Sequence, residues 1–388
     1  MYESIDRNIV ILGWVSFFTD MASAMINPIL PIFIITVLHE GYDKLGIIVA
    51  IATFLSYALR LVSGYISDRY GIVKPLVAGG YALSAISKPL LCISHGWQSV
   101  ALLRGAERLG KGVRSAPKDL LIASYAKEKA AGRTFGFHKT LDIAGELGGT
   151  LLLFGALFLF GQNENTMRAL FLATLIPGLI GLILILFFVK DVAKKERQKV
   201  QKFHLTSRDR YVAKSLLPYF GFIFFVFSEA FFTMQASSIG IETVMIPLLF
   251  VVSTLTQTLT SYRLGIWIDK AGSRRVMLFA YMCALAAQLL LYAKIPSATW
   301  LAYAFFGLFT VASLNASRTF IAKESINKGS LYGVFYAGIA LFGAAGAFVS
   351  GMLWEHLGMD AVLLFSLGGT LLMLLLFLKT KPGDAYKS

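Results

Sequence analysis

"GYISDRYG", residues 64–71, returns 201 residues later as "GIWIDKAG", residues 265–272. Both fit G-x-x-x-D-[RK]-x-G, and each follows the second apolar run of a set of six. A second pair, "GRTFG" at 132–136 and "GSLYG" at 329–333, repeats at an offset of 197, as do Gly149 and Gly346. Self-similarity at a nearly fixed offset marks a duplicated unit. The chain therefore reads as two copies of one six-helix design.

The composition says what those helices are for. Of 388 residues, 56% are hydrophobic and only 15% charged, with a mean hydropathy of +0.68, which places the chain among membrane proteins. A helix needs about 20 apolar residues to cross a bilayer, and such runs recur twelve times. They cover roughly 10–38, 45–66, 75–94, 98–116, 135–160, 169–189, 216–236, 241–267, 276–293, 300–322, 332–353 and 361–378. The runs are continuous rather than alternating, so helices are expected and not barrel strands. The expected fold is an all-α membrane protein of 12 transmembrane helices in two pseudo-symmetric six-helix bundles. Its parts are an N-terminal bundle (1–189), a cytoplasmic linker with room for an interfacial helix (190–214), and a C-terminal bundle (215–388).

The formal net charge of +14 is distributed by topology. Nine of the Lys and Arg fall between Lys190 and Lys214, whereas the loops on the opposite side hold only Lys44, Arg168 and Lys294. That asymmetry puts both termini in the cytoplasm, and the basic balance implies no nucleic-acid partner. The first run is long and carries two prolines, so it reads as helix 1 rather than a cleavable signal. Cys92 and Cys283 lie inside apolar runs without CxxC spacing, and the five His are dispersed. No metal, cofactor or catalytic residue is expected. G-x-S-x-G and G-x-x-x-x-G-K-[ST] are both absent from the sequence, which argues against an enzyme and against ATP hydrolysis.

Three further blocks, "FFTDMASAMINPILPIF" (17–33), "ERLGKGVRSAPKDLLIA" (107–123) and "GRTFGFHKTLDIAGELGG" (132–149), together with the two Asp-containing loops, resemble the major facilitator superfamily across essentially the whole chain. The blocks are most similar to a bacterial, drug-exporter-like group. The resemblance implies a monomeric, multi-pass transporter of the bacterial inner membrane whose two bundles rock about a central site. Its inner gate falls on Gly64, Asp68, Arg69, Gly71, Lys74 and Asp119, with a second copy at Gly265 and Asp269. It also makes Arg108, with Gly112 completing R-x-x-x-G, the cavity arginine of helix 4. Some positions depart from the pattern. Ile72 and Val73 replace a basic pair, Thr150 stands where the antiporter-type helix 5 has proline, and Ala24 and Asn27 replace an acid and an aromatic.

An ionisable side chain at a helix centre costs at least about 2.5–3.5 kcal/mol, so each one needs a partner, an aqueous hollow or a ligand. Along "RGAERLGKGVRSAPKD" (104–119), Arg104, Arg108, Lys111, Ser115 and Lys118 share one helical stripe, with Glu107 and Arg114 at its edges. In the next helix His138, Asp142 and Glu146 are spaced i, i+4, i+8. Those acids either neutralise the stripe for packing or join it in coupling to protons. Asp20 in helix 1 and Glu229 in helix 7 are read as acids at similar depth in repeat-equivalent helices. Proton coupling is expected from Asp20, Glu229, Asp142, Glu146 and His138. Substrate contacts are expected from Arg104, Arg108, Lys111, Arg318, Asn27 and Gln235. An arginine beside a carboxylate keeps it ionised, and separating the two lets the carboxylate take a proton.

The leading expectation is a proton-coupled exporter of an organic, amphiphilic, anionic small molecule, drug-like or siderophore-like. An importer of an organic anion or metal chelate is the alternative that Thr150 and the basic helix keep open. A third reading is a non-transporting sensor or assembly partner whose charges only pack helices.

Overall fold

The computed structural model describes residues 6–126, 131–191 and 205–379. Every regular element among them is helical. In chain order these are α1 (Arg7–Ala24), α2 (Leu30–Ile32), α3 (Tyr42–Tyr70), α4 (Lys74–Leu90), α5 (Trp97–Tyr125), α6 (Ala131–Phe160), α7 (Glu164–Ala173) and α8 (Leu175–Ile183). They continue with α9 (Ser207–Ser215), α10 (Leu217–Phe225), α11 (Glu229–Ser238), α12 (Ile246–Ala271), α13 (Ser273–Tyr292), α14 (Pro296–Glu324) and α15 (Lys328–Lys379). Nine helical segments among the described residues are long and apolar enough to cross a membrane. The last of these, α15, runs 52 residues but turns at Gly358 (φ 82°), and at about 1.5 Å per residue it has the length of two crossings. The stripe-bearing α5 is not among the nine, and seven charged residues between Arg104 and Asp119 account for that.

The helices sort into two compact units. The first takes described residues from 1–40, 51–201 and 243–248; the second takes those from 41–50, 202–242 and 249–388. The first turns of α3 and of α12 thus each belong to a different unit from the rest of their helix. Inside the first unit α1 lies along α6 and α4 along α5; inside the second, α10 lies along α15 and α13 along α14. The repeat seen in sequence is therefore a repeat of packing. Its glycines explain why: a methyl group added at Gly149 would sit 2.2 Å from the Met21 carbonyl oxygen, and one at Gly346 would sit 2.2 Å from that of Phe224. Only glycine lets backbones approach so closely. The paired Gly71 and Gly272 have φ of +65° and +84°, which only glycine adopts without strain, so both turn the chain sharply after the Asp-containing segment.

Several long runs are interrupted. The first breaks between Ala24 and Leu30, where Pro28 has no N–H to donate; a π-helical turn, Phe33–Val37, follows. The seventh breaks between Phe225 and Glu229 with no proline. There the extended backbone of Val226 and Ser228 lets Phe227 enter a cluster with Phe231, Phe232 and Trp354, at ring centroids 6.0, 6.2 and 6.2 Å away. The two breaks are repeat-equivalent, and they revise the expected register of the two acids. Asp20 precedes its break by more than a turn, whereas Glu229 follows its own break at once.

The linker expectation falls largely on residues 192–204, outside the described residues. At Thr206 a capping box opens α9, Thr206 and Asp209 each accepting from the other's backbone. Asp209, 0% exposed, also accepts from the backbone N–H groups of Ile326 (2.9 Å) and Asn327 (3.2 Å). That carboxylate clasps the start of α9 to the turn between α14 and α15.

Candidate functional site

The charged stripe of α5 folds inward within the first unit. Glu107 is 2% exposed and receives two arginines, Arg104 Nη1 at 2.9 Å and Arg108 Nε at 3.1 Å. Helical spacing explains the arrangement, since Glu107 lies three residues after one arginine and directly before the other. Both guanidinium groups also reach the break in helix 1: Arg104 Nη2 donates to Asn27 Oδ1 at 2.7 Å and Arg108 Nη2 to the same oxygen at 3.4 Å. Asn27 can present that oxygen because the chain has already left α1. Two cations thus share one carboxylate and one amide oxygen.

Further along α5, Arg114 is buried; it donates from Nη1 to Ser84 Oγ at 2.6 Å and lies over the Tyr81 ring, 4.5 Å from its centroid. Lys118 Nζ donates to Ser16 Oγ at 3.2 Å. Ser16 Oγ in turn lies 3.1 Å from His138 Nε2 and 3.3 Å from the Tyr81 hydroxyl. His138 Nδ1 faces Asp142 Oδ1 at 3.3 Å. Residues from α1, α4, α5 and α6 therefore form a continuous polar chain through the unit.

Lys88, on α4, is 2% exposed and donates from Nζ to the Thr19 carbonyl at 3.1 Å. Next to that carbonyl stands Asp20, half-buried and in electrostatic range of Lys88, Lys111, Lys118, His138 and Asp142. Asp20 makes no ion pair within 4.0 Å among the described residues. Lys111, on the same stripe, keeps an accessible side chain. Chemically this assembly can hold an anion on Arg104, Arg108 and Lys111, and it can carry a proton on Asp20 or along the His138–Asp142 pair. Glu146 lies one turn beyond Asp142 on α6, half-buried and engaged.

In the second unit the expected residues do not converge in this way. Arg318 donates from Nη2 to the Tyr336 hydroxyl at 3.2 Å, and the Tyr332 hydroxyl donates to the Arg318 carbonyl at 3.1 Å. Glu229 is exposed in the first turn of α11. Gln235 is 0% exposed and donates from Nε2 to the Leu291 carbonyl at 2.8 Å, which makes it a tie between α11 and α13.

At the positions where a gate was expected, Asp119 takes a hydrogen bond from Arg60 Nη2 at 3.1 Å, joining α5 to α3, and Asp269 takes one from Lys323 Nζ at 3.1 Å, joining α12 to α14. Lys74 caps the end of a π-helical turn, Leu184–Phe188, through Nζ on the Leu186 carbonyl at 2.9 Å. Arg69 is exposed, with its guanidinium on Tyr65 and 5.6 Å from the Tyr70 ring centroid. Gly64 sits where an added methyl would lie 3.3 Å from Ala116 Cβ, and Gly265 has open space around it. The side chain of Asp68 lies outside the described residues.

Sequence reasoning gave no site role to Glu107, Lys88, Arg114, Ser16 or Tyr81. Glu107 was legible in principle, since it stands at i+3 and i−1 from two stripe arginines. Ser16 and Tyr81 carry no signal of their own, because a serine or tyrosine in an apolar run is ordinary until packing brings it to a charge.

The Major Facilitator Superfamily model matches residues 12–246 and 220–388. An uncharacterized MFS-type transporter of Methanocaldococcus jannaschii is 29% identical over 374 residues, covering 91% of this chain and 90% of that one. An uncharacterized protein of Mycobacterium tuberculosis is 27% identical over 325 residues, 80% of this chain and 78% of its own. Among solved structures, the nucleoside transporter NupG is similar with a TM-score of 0.75 at 14% identity, over 97% of this chain and 100% of that one. The xylose transporter XylE from E. coli gives a TM-score of 0.72 at 15% identity over 98% of each chain. Likeness at that identity speaks for the fold alone. With the family model matching nearly the whole chain, this multi-pass membrane protein belongs to the major facilitator superfamily and is a transporter rather than an enzyme.

Proposed function

We propose that the chain is a proton-coupled secondary transporter of an organic, amphiphilic anion, working as a monomer in the cytoplasmic membrane with both termini inside. One observation carries this reading. Between α1 and α6 the first unit gathers eight cations, Arg60, Lys88, Arg104, Arg108, Lys111, Arg114, Lys118 and Lys139, with five carboxylates, Asp20, Glu107, Asp119, Asp142 and Glu146. An excess of buried charge costs several kcal/mol per uncompensated ion, and a bound anion removes that cost. The cations best placed for it are Lys111, whose side chain is accessible, and Arg108, which shares Glu107 with Arg104.

The sign of the coupling follows from charge. Ionised Asp20 competes with an incoming anion for Lys111 and Lys118; protonated Asp20 does not. Proton and anion then favour each other's binding, so they travel together, and an inward proton gradient drives uptake of the anion or of an anionic metal chelate. Exchange of proton for solute, with export of a drug-like or siderophore-like compound, is the second reading. The exporter-like blocks around Asp20 and Arg108 favour it, and in that case proton and solute would compete for the same unit.

Purified protein in liposomes loaded with a pH-sensitive dye distinguishes these. A panel of organic anions is added outside: interior acidification driven by an anion supports cotransport, and interior alkalinisation supports exchange. No proton movement and no anion flux with any member of the panel would overturn the transport reading.

A further inference from the structure

Arg318 is a cation of the second unit that folding leaves without an acid. It lies on α14 inside a candidate span, six residues before the end of the helix, much as Lys118 lies seven before the end of α5. Lys118 has Asp20 and Asp142 in electrostatic range. Arg318 has no carboxylate within 4.0 Å among the described residues, and the repeat explains why. At the offset of 197 that relates Gly149 to Gly346, Asp142 and Glu146 correspond to Ile339 and Gly343. Met21 and Phe224 turn their carbonyls to those two glycines, so Asp20 corresponds to Ile223. The second copy of the design keeps a cation and lacks the acids that would face it.

The guanidinium does not escape along its own helix. Its Nε is buried without a hydrogen-bond partner, and Nη2 donates to the Tyr336 hydroxyl at 3.2 Å, so the group is turned onto α15. One turn earlier on α15, the half-buried Tyr332 donates its hydroxyl to the Arg318 carbonyl at 3.1 Å, and the two tyrosine rings stack at 6.4 Å. Glu324, the next acid along α14, is about 9 Å away by helical rise and is held by Arg208 at 3.1 Å. The other terminal nitrogen is open. Nη1 makes no hydrogen bond among the described residues and is not enclosed, and Arg318 as a whole is half-buried. A guanidinium fixed at one nitrogen and open at the other is half of a bidentate contact, ready for a planar oxyanion. A bound anion also removes the cost of an unpaired charge within a span.

We propose that Arg318 is an anion site of the second unit and takes the carboxylate of an organic acid, with the Tyr332 ring as its apolar flank. It belongs to a different unit from the charged assembly on α5, and the assignment does not depend on the transport reading. A lipid phosphate carries the same oxyanion chemistry, and the experiment separates the two sources.

The test is equilibrium dialysis of labelled benzoate against the full chain in detergent. It uses the Arg108→Gln protein, which disables the anion contact proposed on α5. That protein should bind benzoate with a Kd on the order of 1 mM, as expected for so small a ligand. Adding Arg318→Gln should weaken binding at least about tenfold, and so should replacing benzoate by uncharged benzyl alcohol. Tyr336→Glu puts a carboxylate on the side chain that already touches the guanidinium. It should compete with benzoate and weaken binding about tenfold, whereas its neutral match Tyr336→Gln should stay within about threefold. A higher Tm for Tyr336→Glu than for Tyr336→Gln would show the internal pair formed in a folded chain. No saturable benzoate binding in Arg108→Gln, or equal binding with and without Arg318, overturns the proposal. So does protein that binds dihexanoyl phosphatidylglycerol through Arg318 and not benzoate, since the group then belongs to lipid. No flux is read, so failure here leaves the transport reading standing.

Discussion

Removing the Glu107 carboxylate should be the most damaging single change in the first unit. Glu107→Gln keeps the volume and deletes the charge, leaving Arg104 and Arg108, which now sit 2.9 and 3.1 Å from it, to face one another across the Asn27 amide oxygen. Breaking a buried pair by removing one partner costs about 3–5 kcal/mol, and two arginines lose their shared carboxylate here. The expected loss is therefore at the upper end of that range, read as a fall in Tm of roughly 5 °C or more. The assay is thermal denaturation of purified protein at a fixed scan rate, because unfolding of a membrane protein is rarely reversible. A rescue makes the reasoning specific. Asn27→Asp places a carboxylate where Arg104 already donates at 2.7 Å, so the double variant should regain about half of the lost stability, whereas Asn27→Asp alone should change little. A Glu107→Gln protein melting within about 1 °C of the wild type, or a double variant no better than the single, would refute the account of these arginines.

Other expectations follow from the packing. Gly149→Ala forces a methyl to 2.2 Å from the Met21 carbonyl and should sharply lower the yield of monodisperse protein, while Gly148→Ala, 3.4 Å from the Met21 methyl, should be tolerated in the same elution assay. Asp209→Ala removes the acceptor for Thr206, Ile326 and Asn327 and should cost about 2–3 kcal/mol, visible as faster proteolysis in the 325–328 turn. Asp119→Asn breaks the half-exposed link to Arg60; it should shift stability by less than about 1 kcal/mol while changing the rate of transport, which separates a gate from a structural tie.

The architecture was readable because its causes are local and periodic. Runs of about 20 apolar residues, glycines repeated at offsets of 197 and 201, and the 100° spacing of Arg104, Arg108, Lys111 and Lys118 all appear in a linear string. The breaks were half readable: Pro28 announces one, while the one before Glu229 comes from Phe227 packing among aromatic rings distant in sequence, and periodicity has no access to that. The same limit shifted the expected depth of Glu229 relative to Asp20. Partners drawn from other helices were the least legible part of the site. Nothing in "KPLLC" (88–92) says that Lys88 will find the Thr19 carbonyl, and nothing about Ser16 says that it will receive Lys118 beside His138. Charged residues reveal where a site must be, because lipid cannot hold them; the neutral groups that orient them emerge only with packing.

The central claim is that one cationic unit holds the anion and that Asp20 competes for it. The direct measurement is the affinity of a transported anion at neutral pH for wild type, Asp20→Asn and Lys111→Gln. Charges several ångströms apart in a partly wet interior interact by a few kcal/mol. Asp20→Asn should therefore tighten binding about tenfold, and Lys111→Gln should weaken it by a similar factor. Weaker binding in Asp20→Asn, or affinities unchanged in both variants, would contradict the account.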